Sequence, residues 1–296
     1  MSPFLLFLGC IACAATSAHA DIIVLQSDGK PSIVGVVQAI QANAGIRVEV
    51  FNLNGERARA AEAVAAIQAS PTQQVAAVGL LAAQVARQHL SSKQVVFSQV
   101  LNYGDFDLTA PWMKGVSAIP SMQKQFRAWK MLDPNLKRVG VITGRQMRGA
   151  VEQADAAARA NGIELVHIEV ASDREVMPSL RQLTSRVQGL WLAPDSSVLS
   201  TNVIREMIYH ATRQEIQILA FSSALLREGA LLSGTPDNTE TARAVLQRLK
   251  QAQSAQGVPG DNVVLLPSAN ITINGKLAER LGLNLSDKVR EMAHVE

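Results

Sequence analysis

The stretch RVGVITGRQMRGAVEQADAAARANGIELVHIEV, residues 138–170, decides the fold. It opens on a β-branched run, 138–143. A turn follows at Gly144, and from 146 to 160 the apolar positions recur at helical spacing until Asn161-Gly162 stops them. A second apolar run at 164–170 then completes a strand, helix, strand unit. Two such strands joined through one helix pair in parallel by a right-handed crossover, and a parallel sheet needs helices on both faces.

The same rhythm extends in both directions. Upstream, strands are expected at 21–25, 46–51, 75–78 and 95–98, with helices at 33–45, 56–69 and 80–90 between them. The rhythm breaks at 101–120, where Tyr103, Gly104, Asp105, Asp107, Pro111 and Trp112 show no period apart from a strand at 114–118. It resumes with a helix at 122–132 closed by Asp133-Pro134. Downstream of the deciding unit come a helix at 175–187, a strand at 190–193, a helix at 200–213 and a strand at 216–221. Two similar α/β lobes are the simplest inference.

Residues 1–20 read as an address. They carry no Lys, Arg, Asp or Glu, and the apolar run from Phe4 to Ala15 is too short to span a membrane. Ala18-His19-Ala20 suits signal-peptidase cleavage, although a charged leader is missing apart from the terminal amine. A lipoprotein box at Phe7-Leu-Gly-Cys10 would sit too early, because the apolar run continues past it. Both cysteines, Cys10 and Cys13, lie in this segment, so the mature chain holds no thiol for a disulfide, zinc site or nucleophile.

The composition excludes further classes. The chain has 296 residues, 48% of them hydrophobic, and 28 Lys plus Arg against 25 Asp plus Glu, so its net charge is only +3. This is neither a disordered tail nor a strongly basic nucleic-acid binder, and aromatics at 4% leave little for bases to stack on. Catalytic signatures are absent: there is no G-x-S-x-G elbow, phosphate loop or H-E-x-x-H. Gly140, Gly144 and Gly149 depart from G-x-G-x-x-G, and His89, His167 and His210 stand in three separate elements. No cofactor, metal or enzymatic activity is expected.

In an open parallel sheet, ligands collect beyond the carboxyl ends of the strands. That rule selects Ser27, Asp28, Gly79, Ser98 and Gln99 in the first lobe, and Arg145, Asp195, Ser196, Phe221 and Ser222 in the second. Leu80, Gly144, Pro194 and Ser223 adjoin them at the same strand ends. Asp28, Asp195 and Asp237 suit an amine, and Arg145 is the cation for a carboxylate, so a zwitterion such as an amino acid would use both. Each of these residues equally suits a turn or a helix cap.

Several segments together resemble a known family. Val95-Val-Phe-Ser98, Lys114-Gly-Val-Ser-Ala118, Leu132-Asp-Pro134, Lys137-Arg-Val-Gly-Val-Ile142 and Ala193-Pro-Asp195 are similar to the TrpX-like ABC transporter substrate-binding proteins, of the type I periplasmic-binding-protein fold. Gly229-Ala-Leu-Leu232, a helix at 239–251, Ile273-Asn274 and Ala278-Glu-Arg-Leu-Gly282 follow the same pattern. The resemblance implies two Rossmann-like lobes joined by three crossovers, near 116–120, 233–237 and 265–269. The N-terminal lobe would comprise 21–117 plus 236–264, and the C-terminal lobe 118–235 plus 265–296. It adds Thr235 and Asp237, at the second crossover, as ligand contacts.

The function so implied is a periplasmic solute-binding component that closes on a small polar or zwitterionic metabolite and delivers it to an ABC permease and ATPase. Such a protein is a soluble monomer after signal cleavage. The chain departs from the family where Ser27-Asp-Gly-Lys-Pro31 is abbreviated and where 99–113 lacks the usual pattern. These departures keep a second reading open, a periplasmic accessory or sensory protein of the same fold without a transport ligand.

Overall fold

The computed structural model describes residues 20–101, 103–253 and 257–296. The expected export signal, apart from Ala20, falls outside them, as do both cysteines.

The chain begins with β1 (Ile22–Gln26), α1 (Pro31–Asn43), β2 (Val48–Asn52), α2 (Ala60–Ala69), β3 (Gln74–Val78), α3 (Leu80–His89), β4 (Gln94–Ser98) and β5 (Met113–Val116). Pro31 opens α1, where a missing N–H costs nothing, and Ile33, Val36, Val37 and Ile40 form its buried stripe. Gly45, at φ +64°, takes the left-handed turn that follows the helix. The helix expected at 56–69 is divided: a 3-10 turn at Arg57–Arg59 precedes α2.

The chain then leaves this sheet and forms α4 (Met122–Leu132), β6 (Arg138–Thr143), α5 (Arg148–Ala160), β7 (Glu164–Glu169), α6 (Val176–Thr184), β8 (Gly189–Trp191), α7 (Thr201–Arg213), β9 (Gln217–Ala220) and β10 (Leu232–Thr235). It next returns to the first sheet with α8 (Asn238–Ala252) and β11 (Val263–Val264). Finally it passes back as β12 (Asn270–Ile273), α9 (Gly275–Arg280), α10 (Asp287–Met292) and β13 (His294–Val295). The polypeptide thus crosses between the two sheets three times.

Both sheets carry the same winding. The first has the order β11-β5-β4-β3-β1-β2 and is parallel throughout. The second has the order β13-β12-β10-β9-β8-β6-β7, with β12 antiparallel to β10 as the exception. The strand order reverses between β1 and β3 in one lobe and between β6 and β8 in the other, and these are the switch points where such sheets open a crevice.

Each sheet is covered on both faces, which gives four apolar cores. In the first lobe, Ile23, Leu25, Val75 and Phe97 pack beneath α2 and α3, while Val24, Ala76 and Val96 pack beneath α1 and α8. Helix α8 belongs to this lobe because Val245 and Leu249 are buried with Val36 and Ile40. In the second lobe, Trp129, Val139 and Trp191 share a core with α4 and α5, and Ile142, Leu190 and Ile218 share another with α6 and α7. Trp129 is fully buried, and its Nε1–H donates to Gln217 Oε1 at 2.6 Å, which satisfies the one polar atom of the ring.

Candidate functional site

At the first switch point the polar residues tie the loops to one another. Ser27 is buried, and its Oγ accepts from the Ala82 N–H at 2.8 Å, so the loop after β1 caps the start of α3. Gly79 sits between them at φ +93°, where an added Cβ would stand 2.6 Å from Ser27 Oγ and 2.5 Å from Ile33 Cδ1. Asp28 closes a turn before α1: its Oδ1 accepts from the Lys30 N–H at 2.9 Å, and Lys30 Nζ lies 3.3 Å from Oδ2.

The second switch point is built the same way, with a carboxylate in place of the hydroxyl. Asp195 is 2% exposed; its Oδ2 accepts from the Gly144 N–H at 2.7 Å and its Oδ1 from the Ser197 N–H at 3.0 Å. It therefore fastens the loop after β6 to the loop after β8. Ser196 beside it is exposed, as is Arg145 in the short 3-10 turn that leads into α5. Phe221 is partly buried against the α6–α7 core, and Ser222 precedes a 3-10 turn at Ser223–Leu226. At the second crossing, Thr235 Oγ1 donates to the Asn270 carbonyl at 3.5 Å, and Asp237 caps α8 by accepting from the Glu240 N–H at 2.9 Å.

The remaining two expected residues lead into the segment that closes the first lobe over the cleft. Ser98 is fully buried at the end of β4; its carbonyl accepts from the Gly79 N–H, and its hydroxyl has no hydrogen-bond partner. Gln99 follows at φ +57°, and Asp107 closes the segment at φ +47°. These two left-handed positions bracket a tight excursion. It is pinned by Val100 and Leu108, both buried, by Tyr103, whose ring centre lies 5.9 Å from that of Phe97 with the planes tilted at 45°, and by Arg87, which donates to the Asp107 carboxylate at 2.8 Å. Leu101 and Phe106 stay exposed, and so does Leu80 at the tip of α3.

Between this excursion and the second lobe lies a chamber of about 190 Å³. The first lobe contributes Val100, Leu101, Tyr103 and Gly104; α5 and the turn before it contribute Gln146, Met147, Gly149, Ala150 and Gln153. Ser117, Ala118 and Ile119 of the first crossing and Leu265 of the third form its back wall. None of the twelve residues expected from the strand ends lines it, although Gln99 and Arg145 each immediately precede a residue that does. The signal for the missed residues was faint. Gln146 of the 3-10 turn Arg145–Met147 and Gln153 of α5 stand seven positions apart with the small pair Gly149-Ala150 between them, and a Cβ added at Gly149 meets nothing within 4 Å.

Charge is distributed around the chamber rather than within it. The Asp105 carboxyl is held above its ordinary range, first by burial and then by the negative charge of Asp195 in the opposite lobe. Behind the Arg145 turn, Arg148 pairs with Glu169 through two hydrogen bonds, of 2.5 and 2.8 Å, and this holds the Glu169 carboxyl low. His167 shares a 2.9 Å hydrogen bond with Thr143 Oγ1, and burial pushes its pKa down. Among the described residues, no group of three or more His, Cys, Asp or Glu is placed to hold a metal, and no helix is long and apolar enough to cross a membrane.

This architecture is shared with solved proteins. The family model described as ABC transporter substrate binding protein matches residues 23–295. The ABC domain from Streptococcus pneumonia in complex with L-Trp is 21% identical, with a TM-score of 0.61, covering 94% of this chain and 100% of that one. A substrate-binding protein with adhesive properties from Clostridium difficile, in a ligand-free, open structure, is 18% identical with a TM-score of 0.65 over 94% of this chain and 99% of that one. A conserved domain protein from Vibrio cholerae is 17% identical with a TM-score of 0.58, over 93% and 99%. No curated protein matches the chain. The fold is that of the type I periplasmic binding proteins, as the doubled strand rhythm and the resemblance led one to expect.

Proposed function

The chain belongs to the ABC transporter substrate binding protein family, a family of binders and not of enzymes, and from that premise we propose that it captures a small polar or zwitterionic metabolite, such as an amino acid, between its lobes outside the cytoplasm and hands it to an ABC permease and its ATPase. The observation that carries the proposal is the chamber walled by both lobes and by two of the three crossings, since a ligand seated there contacts both of the bodies that a hinge brings together. Such a ligand favours the closed form by the contacts that only that form completes.

The polar end of the solute would lie at the strand ends. There Arg145 offers a cation for a carboxylate and Asp28 a carboxylate for an amine, and Asp105, in the 3-10 turn Tyr103–Phe106, offers a second carboxylate. The L-Trp held by the streptococcal relative supports a ligand of this size and charge type. The test is a thermal-shift and calorimetric screen of the full chain against amino acids and related carboxylates. Saturable stabilisation by one of them is the expected result. A folded protein that responds to none of them refutes solute capture and favours an accessory role in the envelope.

A further inference from the structure

The second lobe carries another groove, at the end of its sheet away from the cleft. It opens where β9 begins, between the last turn of α7 and α9, and it encloses about 440 Å³. β9 runs from there towards Phe221 and Ser222 at the cleft, and none of the residues lining the groove borders the chamber. The volume falls within the roughly 300–1,000 Å³ of small-molecule sites.

The floor is apolar because two cores of the lobe reach the surface together there. Ile216 and Ile218 belong to the α6–α7 core, and Leu277 and Leu281 to the core shared with α4 and α5. The neutral polar side chains beside them are bonded inward. Gln217 accepts from Trp129 Nε1–H at 2.6 Å and donates to the Asp133 carboxylate at 2.5 Å, and the Thr212 hydroxyl donates to the Ile208 carbonyl.

The rim carries the charge. Arg213 and Arg280 line it, and among the described residues neither guanidinium has a carboxylate within ion-pair distance. Arg213 is held instead over the Tyr209 ring, 5.6 Å from its centre, with Nη1 donating to the phenol oxygen at 3.1 Å. Tyr209 is 65% exposed, so this pair stands at the open edge of the groove. Glu215, in the left-handed turn before β9 at φ +56°, is the one acid among the described lining residues. Two guanidiniums against one carboxylate leave the rim one positive charge in excess.

We propose that this groove is a second small-molecule site, independent of the cleft, for a monoanion with an apolar body, such as a medium-chain or aryl carboxylate. The body lies on Ile216, Ile218, Leu277 and Leu281, and the carboxylate meets Arg213 and Arg280, whose forked donors fit it.

Titration calorimetry of the full chain with octanoate, against octanamide and octylamine of the same chain length, tests it. Octanoate should bind at least about tenfold more tightly than either. Arg213→Gln and Arg280→Gln, both at exposed positions, should each weaken octanoate about three- to tenfold. Arg280→Glu leaves two carboxylates against one guanidinium, so it should abolish octanoate binding and recruit octylamine. Because Gln217 ties the floor to Trp129, bound octanoate should also shift the tryptophan emission. A folded chain that does not bind octanoate overturns the site, and so does octanamide binding equally well. Unchanged affinity in the Arg213 and Arg280 variants overturns it too, by placing the octanoate elsewhere. Phosphatidylglycerol vesicles that capture the chain through Arg280, while free octanoate does not bind, overturn it in favour of a membrane surface. Each of these failures leaves solute capture in the cleft standing, since the groove shares no residue with it.

Discussion

Arg248 is the most consequential charged residue away from the cleft, and Arg248→Met probes what it does. The side chain is 3% exposed in α8, with Nη1 donating to the Gly115 carbonyl at 2.9 Å and Nη2 to the carbonyls of Pro259, 3.0 Å, and Asp261, 2.5 Å. These three acceptors belong to β5 and to the segment entering β11, the strands that lead into the first and third crossings. Hydrogen bonds to a charged group contribute about 1.5–3 kcal/mol each. Against that stands the cost of burying a guanidinium, which here lowers its pKa, the nearby Asp261 charge offsetting part of the effect, and leaves Nε without a partner. Methionine fills much of the same volume but removes the guanidinium donor from three inward carbonyls, so the net loss should be about 3–5 kcal/mol. Urea unfolding measures the total. Hydrogen exchange locates it: the Gly115 and Ser117 amides, bonded to the Asn262 and Val264 carbonyls, should exchange faster than the β1 and β3 amides. A loss below about 1 kcal/mol with unchanged exchange at those two amides would show that burial cancels the bonds and that Arg248 does not hold the hinge strand.

Three further expectations follow from single contacts. Gly189→Ala would place a Cβ 2.4 Å from the fully buried Trp129 ring and should cost about 1–3 kcal/mol with a shift in tryptophan fluorescence; wild-type stability and emission would contradict the packing. Asp195→Ala removes the acceptor of the Gly144 and Ser197 amides and should cost about 1–3 kcal/mol, with faster exchange at Gly144; an unmoved Gly144 amide would mean the two loops are held otherwise. His167 has its pKa pushed below the ordinary 6.5 by burial, so the unfolded chain takes up its proton first as pH falls. Its contribution is intact above 6.5 and is lost from there down to the lowered folded value, so Gln at this position should flatten stability over that window; parallel pH profiles for the two proteins would exclude the effect.

The expected elements are found with small shifts at their ends. The helix at 122–132 and the strand at 138–143 coincide with α4 and β6, because a serine cap, an Asp-Pro stop and a dense β-branched run fix their limits locally. The strand expected at 114–118 is instead β5, Met113–Val116, because Ser117 turns its hydroxyl back to the Ile119 N–H as the chain leaves the sheet. The short strands β11 and β13 could not be read at all: two residues carry no period, and only a neighbouring strand edge makes them strands.

What the sequence determined by itself was the doubled α/β rhythm, the two-lobed architecture it requires, and the positions of the strand ends, all of which follow from apolar period and stop residues a few positions apart. Only tertiary structure decided what those strand ends do. Ser27, Asp195 and Asp237 spend their oxygens on backbone N–H groups of neighbouring loops and helices. The chamber is walled by Tyr103, Gln146, Gln153 and Leu265. These residues lie up to 162 positions apart in the chain. A cavity is the space left when two separately packed lobes meet, and no local pattern encodes which side chains will border it.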